Sequence, residues 1–248
     1  MDLSLAGKQL IVMGGSRGLG WAVAQTLREE GAAVLLASRT APLPREGACL
    51  WSELDTGDRS SIEKFIDTLP WERVDGLFVN TGGPRPGKFD DLADHDWQAA
   101  FTSLLWGPVL LIKGLTPMMA PGSSILFNTS SSIKMPIDSL LLSNVMRPAV
   151  AALAKSLSIE MAERQIRVNV IAPGRIATER VEELDQYRAL QDQKPLEAIE
   201  AQAASRIPLG RYGAPREFSK AAAFLLSGAS SYITGASLFV DGGQTRAL

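Results

Sequence analysis

The chain alternates short, unbroken apolar runs with longer stretches whose apolar residues recur at helical spacing, and this alternation limits what it can fold into. Gln9–Met13 is an apolar run that stops at Gly14, and Trp21–Glu30 follows with helical spacing and ends at Gly31. Ala33–Ala37 and Ala48–Leu54 are the next expected strands, and Ser60–Leu69 reads as a capped helix closed by Pro70. Gly76–Val79 is the expected fourth strand. Asp94–Leu115 reads as a long helix that Gly107-Pro108 should bend or weaken, because proline lacks an amide hydrogen and crowds the turn before it. Ser124–Thr129 and Arg167–Ala172 are expected strands on either side of a long helix over Ser143–Arg164. A helix at Pro215–Leu226 precedes a last strand at Ala236–Val240. Strands that are apolar throughout, instead of at every second residue, are buried on both faces, which implies a parallel sheet covered by helices on each side. The expected class is α/β, a single doubly wound domain over residues 1–248, with its ligand beyond the carboxyl ends of the strands.

Composition narrows the partners. At 46 % hydrophobic the 248 residues can bury a substantial core. With 25 Lys and Arg against 27 Asp and Glu, and no run of like charge, neither nucleic acid nor a membrane surface is an expected partner. No unbroken apolar window approaches the length of a membrane span, and the first residues do not read as a secretory signal. Cys49 is alone, which excludes a disulfide within the chain and points to a reducing cytoplasm. No His/Cys cluster suggests a metal.

Gly14-Gly15-Ser16-Arg17-Gly18-Leu19-Gly20 closes the first expected strand and opens the first helix. Glycines at such a turn let the backbone approach a pyrophosphate, and the helix start offers unpaired amides and a partial positive charge. The spacing of Gly14, Gly18 and Gly20 resembles the short-chain dehydrogenase/reductase family, classical type, although Met13 stands where that family usually has Thr. Leu54-Asp55, Asn80-Thr81-Gly82-Gly83, Asn128-Thr129-Ser130-Ser131, Arg167 to Gly174, Thr178 and Gly235 to Gly243 resemble further family segments in order. The likeness covers nearly the whole chain and is similar overall to the 3-oxoacyl carrier-protein reductases. It implies a Rossmann fold of about seven parallel strands, with a substrate lid at about 176–208.

The resemblance implies a cofactor site of Gly14, Ser16, Arg17, Gly18, Leu19, Gly20, Ser38, Arg39, Asp55, Asn80, Gly82, Arg147, Pro173, Gly174, Ile176 and Thr178. The residue ending the second strand meets the adenosine ribose, where a carboxylate would repel a 2′-phosphate. This chain has Ser38-Arg39-Thr40 there and Arg17 nearby, so two cations and no carboxylate favour NADP(H) over NAD(H).

The family supplies Ser, Tyr and Lys, and often Asn, for proton transfer. Aligned by the helix, Ser130 takes the Ser position with Ser131 as the one-off alternative, and Leu104 takes the Asn position beside Ser103. Ser143 stands at the Tyr position and Arg147 at the Lys position, in the catalytic set Ser130, Ser143 and Arg147. An alkanol is a far weaker acid than a phenol of reference pKa about 10, and Arg stays protonated. His95, Lys134 and Tyr187 are the stand-ins to test. The charged lid residues Glu179, Arg180, Glu182, Glu183, Asp185 and Arg188 read as a solvated helix face. The expected activity is NADP(H)-dependent interconversion of a carbonyl and an alcohol on a small molecule, in a homodimer or homotetramer. The alternatives are an NADP(H)-binding sensor or partner protein, and a lyase or isomerase using the same pocket.

Overall fold

The computed structural model describes residues 2–42 and 50–247. Seven strands form one sheet in the order β3-β2-β1-β4-β5-β6-β7, and every pairing is parallel. The strands are β1 (Gln9–Met13), β2 (Ala33–Ser38), β3 (Leu50–Glu53), β4 (Gly76–Val79), β5 (Ser124–Asn128), β6 (Arg167–Pro173) and β7 (Ser237–Val240). The helices are α1 (Gly18–Glu29), α2 (Arg59–Asp67), α3 (Asp94–Phe101), α4 (Gly107–Leu115), α5 (Leu141–Glu160), α6 (Glu179–Asp192), α7 (Leu196–Ser205) and α8 (Pro215–Leu226). The first two residues of the expected third strand, Ala48 and Cys49, lie outside the described residues.

Alternate side chains of each central strand feed two separate cores. Ile11 and Met13 of β1 pack with Leu77, Val79, Ile125 and Phe127 beneath α2, α4 and α5. Leu10 and Val12 pack with Leu36, Phe78 and Leu126 beneath α1 and α8, where Phe78 meets Phe218 edge to face at 6.4 Å. Apolar residues on both faces of one strand give the unbroken runs seen in the sequence.

The expected long helix runs from Asp94 to Leu115 as α3 and α4, joined by one wide π-turn over Thr102–Trp106. Gly107-Pro108 does not break it. The wide turn relieves the backbone just before the proline, which then falls in the first turn of α4. Gly107 is required for another reason: a Cβ there would run into the Thr56 carbonyl. By length and composition alone, Asp94–Met118 is apolar enough to cross a membrane. In this fold it lies against the sheet, with Leu111, Ile112 and Leu115 in the core.

Helix α5 starts two residues before the expected Ser143 and ends at Glu160, and the remaining residues to Arg164 lie in a short 3-10 turn. The segment expected to form a lid, at about 176–208, holds two helices, α6 and α7, and its charged face is not simply solvated. Asp185 is fully buried. It is ion-paired to Arg175 and accepts a 2.8 Å hydrogen bond from the Tyr212 hydroxyl, while the Arg175 guanidinium lies 5.6 Å over the Tyr212 ring. Burial, reinforced by that hydrogen bond to Asp185, pushes the Tyr212 phenol up to about 12.

Candidate cofactor and substrate site

A cavity of about 670 Å³ opens at the carboxyl ends of the strands, where the chain order reverses between β1 and β4. One end is walled by Ser38, Arg39 and Asp55, the other by Ser130, Ser143 and Arg147. Gly14, Ser16, Arg17, Gly18, Leu19, Asn80, Gly82, Pro173, Gly174, Ile176 and Thr178 line it between these ends. Of the expected cofactor-binding residues, Gly20 is the one that does not line it. Its role is packing: a Cβ on Gly20 would run into the Gly14 carbonyl, so its absence lets α1 begin directly against the turn. Gly14 has φ +60°, and a Cβ there would stand 2.7 Å from Asn80 Nδ2. Asn80 in turn accepts from Asn128 Nδ2 at 2.8 Å, tying the β4 and β5 ends together. The buried Asn128 Oδ1 has no hydrogen-bond partner among the described residues.

Arg147 is buried, and all its hydrogen bonds go to the protein. Nη1 donates to Thr81 Oγ1 (3.2 Å) and the Asn128 carbonyl (3.1 Å), and Nη2 to the carbonyls of Thr81 (3.4 Å) and Gly82 (3.2 Å). It thus clamps the loops after β4 and β5. No carboxylate among the described residues pairs with it, and burial, assisted by the nearby Arg180 charge, lowers its pKa to about 10. Its terminal hydrogens are held by three carbonyls and the Thr81 hydroxyl, so the side chain brings its charge to the cavity wall.

Ser130 lies two residues past the end of β5 and caps the next turn, accepting from the Ser132 amide at 3.1 Å. Ser143, in the first turn of α5, lines the cavity opposite. Leu104 is buried against Leu142 and Met146, while Ser103 lines the cavity from the π-turn and donates to the Ala99 carbonyl. None of the three stand-in acids lines the cavity: His95 and Lys134 are exposed and Tyr187 is half-buried in α6. Ser131, the alternative to Ser130, is buried and does not line it either.

Helix α6 reaches both walls from adjacent residues. Glu179 pairs with Arg17 of the glycine turn at 3.0 Å, so Arg17 has a carboxylate partner as well as a place on the cavity wall. Arg180 crosses to the opposite wall and donates to the Pro84 carbonyl at 3.0 Å. Reading the lid's charge as a solvated face missed Arg180, Glu179 and Glu183, all of which line the cavity. A signal was present in the sequence: Thr178, the side-chain cap of α6, fixes the two residues after it at the cavity edge.

A doubly wound parallel sheet, a glycine turn opening α1 and a cavity at the strand-order reversal define a dinucleotide-binding α/β protein. Residues 14–245 match the family model described as enoyl-(acyl carrier protein) reductase. The 3-oxoacyl-[acyl-carrier-protein] reductase FabG of Chlamydia pneumoniae is 32 % identical, covering 99 % of this chain and all of that one. The FabG of Salmonella typhimurium is also 32 % identical, covering 98 % of this chain and 99 % of that one. A short chain dehydrogenase family protein from Francisella tularensis has a similar solved structure, with TM-score 0.91 at 28 % identity over 97 % of this chain and 99 % of that one. L-sorbose reductase from Gluconobacter frateurii, solved with NADPH and L-sorbose, gives TM-score 0.91 at 25 % identity over both whole chains. The chain belongs to the short-chain dehydrogenase/reductase family of oxidoreductases.

Proposed function

We propose that the protein is an NADP(H)-dependent oxidoreductase that interconverts a carbonyl and an alcohol on a small molecule through an altered proton route. The observation that carries the cofactor choice is Arg39, which lines the cavity just past the end of β2 and forms no ion pair with any described carboxylate. The glycine turn, the amide end of α1, the orphaned Asn128 Oδ1 and the volume of the cavity fit a phosphorylated nicotinamide dinucleotide.

When bound, the nicotinamide supplies or accepts the hydride. The protein's own part is electrostatic. Ser130 and Ser143 present hydroxyls to a substrate oxygen, and the buried Arg147 charge stabilises negative charge that develops there. Among the described lining residues none is a histidine, cysteine, tyrosine or lysine, and Glu183, the carboxylate beside the two serines, is ion-paired to Arg180, so the proton reaches that oxygen from water. Losing a positioned acid slows such a step about 10²–10⁴-fold. A second reading, nucleotide binding without turnover, draws on that same lack of an acid.

Single-turnover mixing with NADPH and a panel of ketones separates the two: tight NADPH binding with no oxidation by any ketone would sink the oxidoreductase reading. For the cofactor, Arg39→Asp should weaken NADPH about 10–100-fold while leaving NADH within a few-fold. Equal losses for both would overturn the 2′-phosphate assignment. The exposed Phe101, Trp106 and Val145 on the outer faces of α3, the π-turn and α5 support assembly as a homodimer or homotetramer through these helices.

A further inference from the structure

We propose that the substrate carries a carboxylate and that Arg180 is the side chain that selects it. This rests on the oxidoreductase reading for the identity of the pocket, and it goes further by naming the chemical class that the pocket prefers.

The cavity's charge is uneven. Its lining carboxylates are Asp55, Glu179 and Glu183. Asp55 belongs to the end walled by Ser38 and Arg39, and Glu179 is bound to Arg17. Beside Ser143 and Ser130 stand three arginines, Arg85, Arg147 and Arg180, against Glu183. Two of the three are committed. Arg85 pairs with Asp96 at 2.8 Å, which also caps the start of α3. Arg147 is held by backbone carbonyls and the Thr81 hydroxyl.

Arg180 differs from both. Its ion pair with Glu183 is an exposed i,i+3 contact at 3.3 Å within α6, a weak arrangement that an incoming anion readily displaces. Its position is nonetheless built. The guanidinium lies in a slot left by Gly83, where a Cβ would stand 2.8 Å from both Nε and Nη2. The Pro84 carbonyl holds Nη2 from behind. A long, flexible side chain is thus aimed across the cavity mouth by two features of the opposite wall. There it confronts the buried charge of Arg147, whose ionisation it disfavours. A neutral substrate leaves that repulsion in place. A carboxylate between the two guanidiniums relieves it, and the planar fork of Arg180 suits a carboxylate's two oxygens.

The test compares 2-oxobutanoate and 4-oxopentanoate with their neutral amides, using NADPH as reductant. The wild type should favour the acids, and Arg180→Gln should lower the acid-to-amide ratio of kcat/KM about 10–100-fold. Gly83→Ala, whose methyl group expels the guanidinium from its slot, should move the ratio the same way. Arg180→Lys, which keeps the charge and loses the fork, should fall between. A second arm needs no turnover: the enzyme saturated with NADP+ is titrated calorimetrically with pentanoate and pentanamide, and only pentanoate should bind in an Arg180-dependent manner. Neutral ketones reduced with no preference for the acids would overturn the carboxylate assignment and leave the oxidoreductase reading standing. Arg180-dependent pentanoate binding without NADPH oxidation would support the assignment and overturn the reductase reading. If the ratio is unaffected by both Arg180→Gln and Gly83→Ala, Arg180 is not the selecting residue.

Discussion

Replacing Arg147 by Met tests whether this buried cation stabilises the fold or is held there against it. Met keeps the length and much of the volume of the side chain but removes the charge and every donor. The guanidinium makes four hydrogen bonds, each to a carbonyl or hydroxyl at the β4 or β5 end. A hydrogen bond from a charged donor contributes about 1.5–3 kcal/mol, and at the low end four contribute about 6 kcal/mol. Against this stands the cost of keeping the charge buried. Its pKa is held at about 10 against an ordinary 12.5. At about 1.4 kcal/mol per pH unit that difference is about 3 kcal/mol. The hydrogen bonds therefore win by about 2–3 kcal/mol, and Arg147→Met should lose that much stability. For a chain of this size the loss lowers Tm by about 5–10 °C. The assay is thermal unfolding of the ligand-free protein followed by circular dichroism. A variant as stable as the wild type, or more so, would refute the argument, because it would mean that desolvation outweighs the clamp and that the charge is retained for its ligand alone.

Gly107→Ala places a methyl group against the Thr56 carbonyl where two backbones meet, and neither can yield as a side-chain end would. It should cost about 2–4 kcal/mol in urea unfolding; an effect below about 0.5 kcal/mol would show that α4 can slide away from the turn before α2. Asp185→Asn leaves the Arg175 guanidinium, only 22 % exposed, without its counter-charge. The loss should be about 3 kcal/mol, with faster proteolytic cleavage within 176–208. Tyr212 sets the alkaline limit of the same cluster. Its phenol is raised to about 12 in the fold, so the protonated form is the stabilising one. Its contribution is whole below the unfolded value of about 10 and is lost as pH rises through 12. Absorbance at alkaline pH should show one tyrosine ionising after the other two, and Tyr212→Phe should remove that late step.

The sheet was legible in the sequence because its strands are buried on both faces, so runs such as Leu10–Met13 and Ile125–Phe127 carry no polar residue to blur them. The glycine turn was legible because close backbone approach admits few residue types. The π-turn was not. Gly107-Pro108 marks a disturbance in the helix, but whether a helix kinks or widens depends on what packs against it, here the Thr56 carbonyl. The lid was misread for a similar reason. Asp185 looks like any charge on a polar helix, and its burial depends on Arg175 and on Tyr212, which is 27 residues away in the chain. Arg180 is drawn into the cavity by Pro84, 96 residues away. In the candidate site, position along the chain indicated which residues converge. It did not indicate how Arg147 spends its hydrogen bonds, because carbonyl acceptors are present at every residue and leave no trace in side-chain identity.

The strand order also dictates a sequence of events during synthesis. From β1 onward the sheet first grows one way, to β2 and β3, then turns back and adds β4, β5, β6 and β7 in succession on the other flank. After the reversal, each strand leaving the ribosome docks beside its immediate predecessor, so assembly can proceed vectorially. The exception is β4, which must find β1 with Leu10 opposite Gly76, a closure across more than sixty residues of intervening chain. That pairing and the one that brings Ser237 of β7 beside Val170 of β6 close the longest stretches of chain in the sheet, so together they carry its largest loop entropies and should be its slow steps. The docking of β4 creates the crevice between β1 and β4, so the nascent chain forms the floor of its cavity long before α6, which supplies Glu179 and Arg180 to the cavity wall, has been translated.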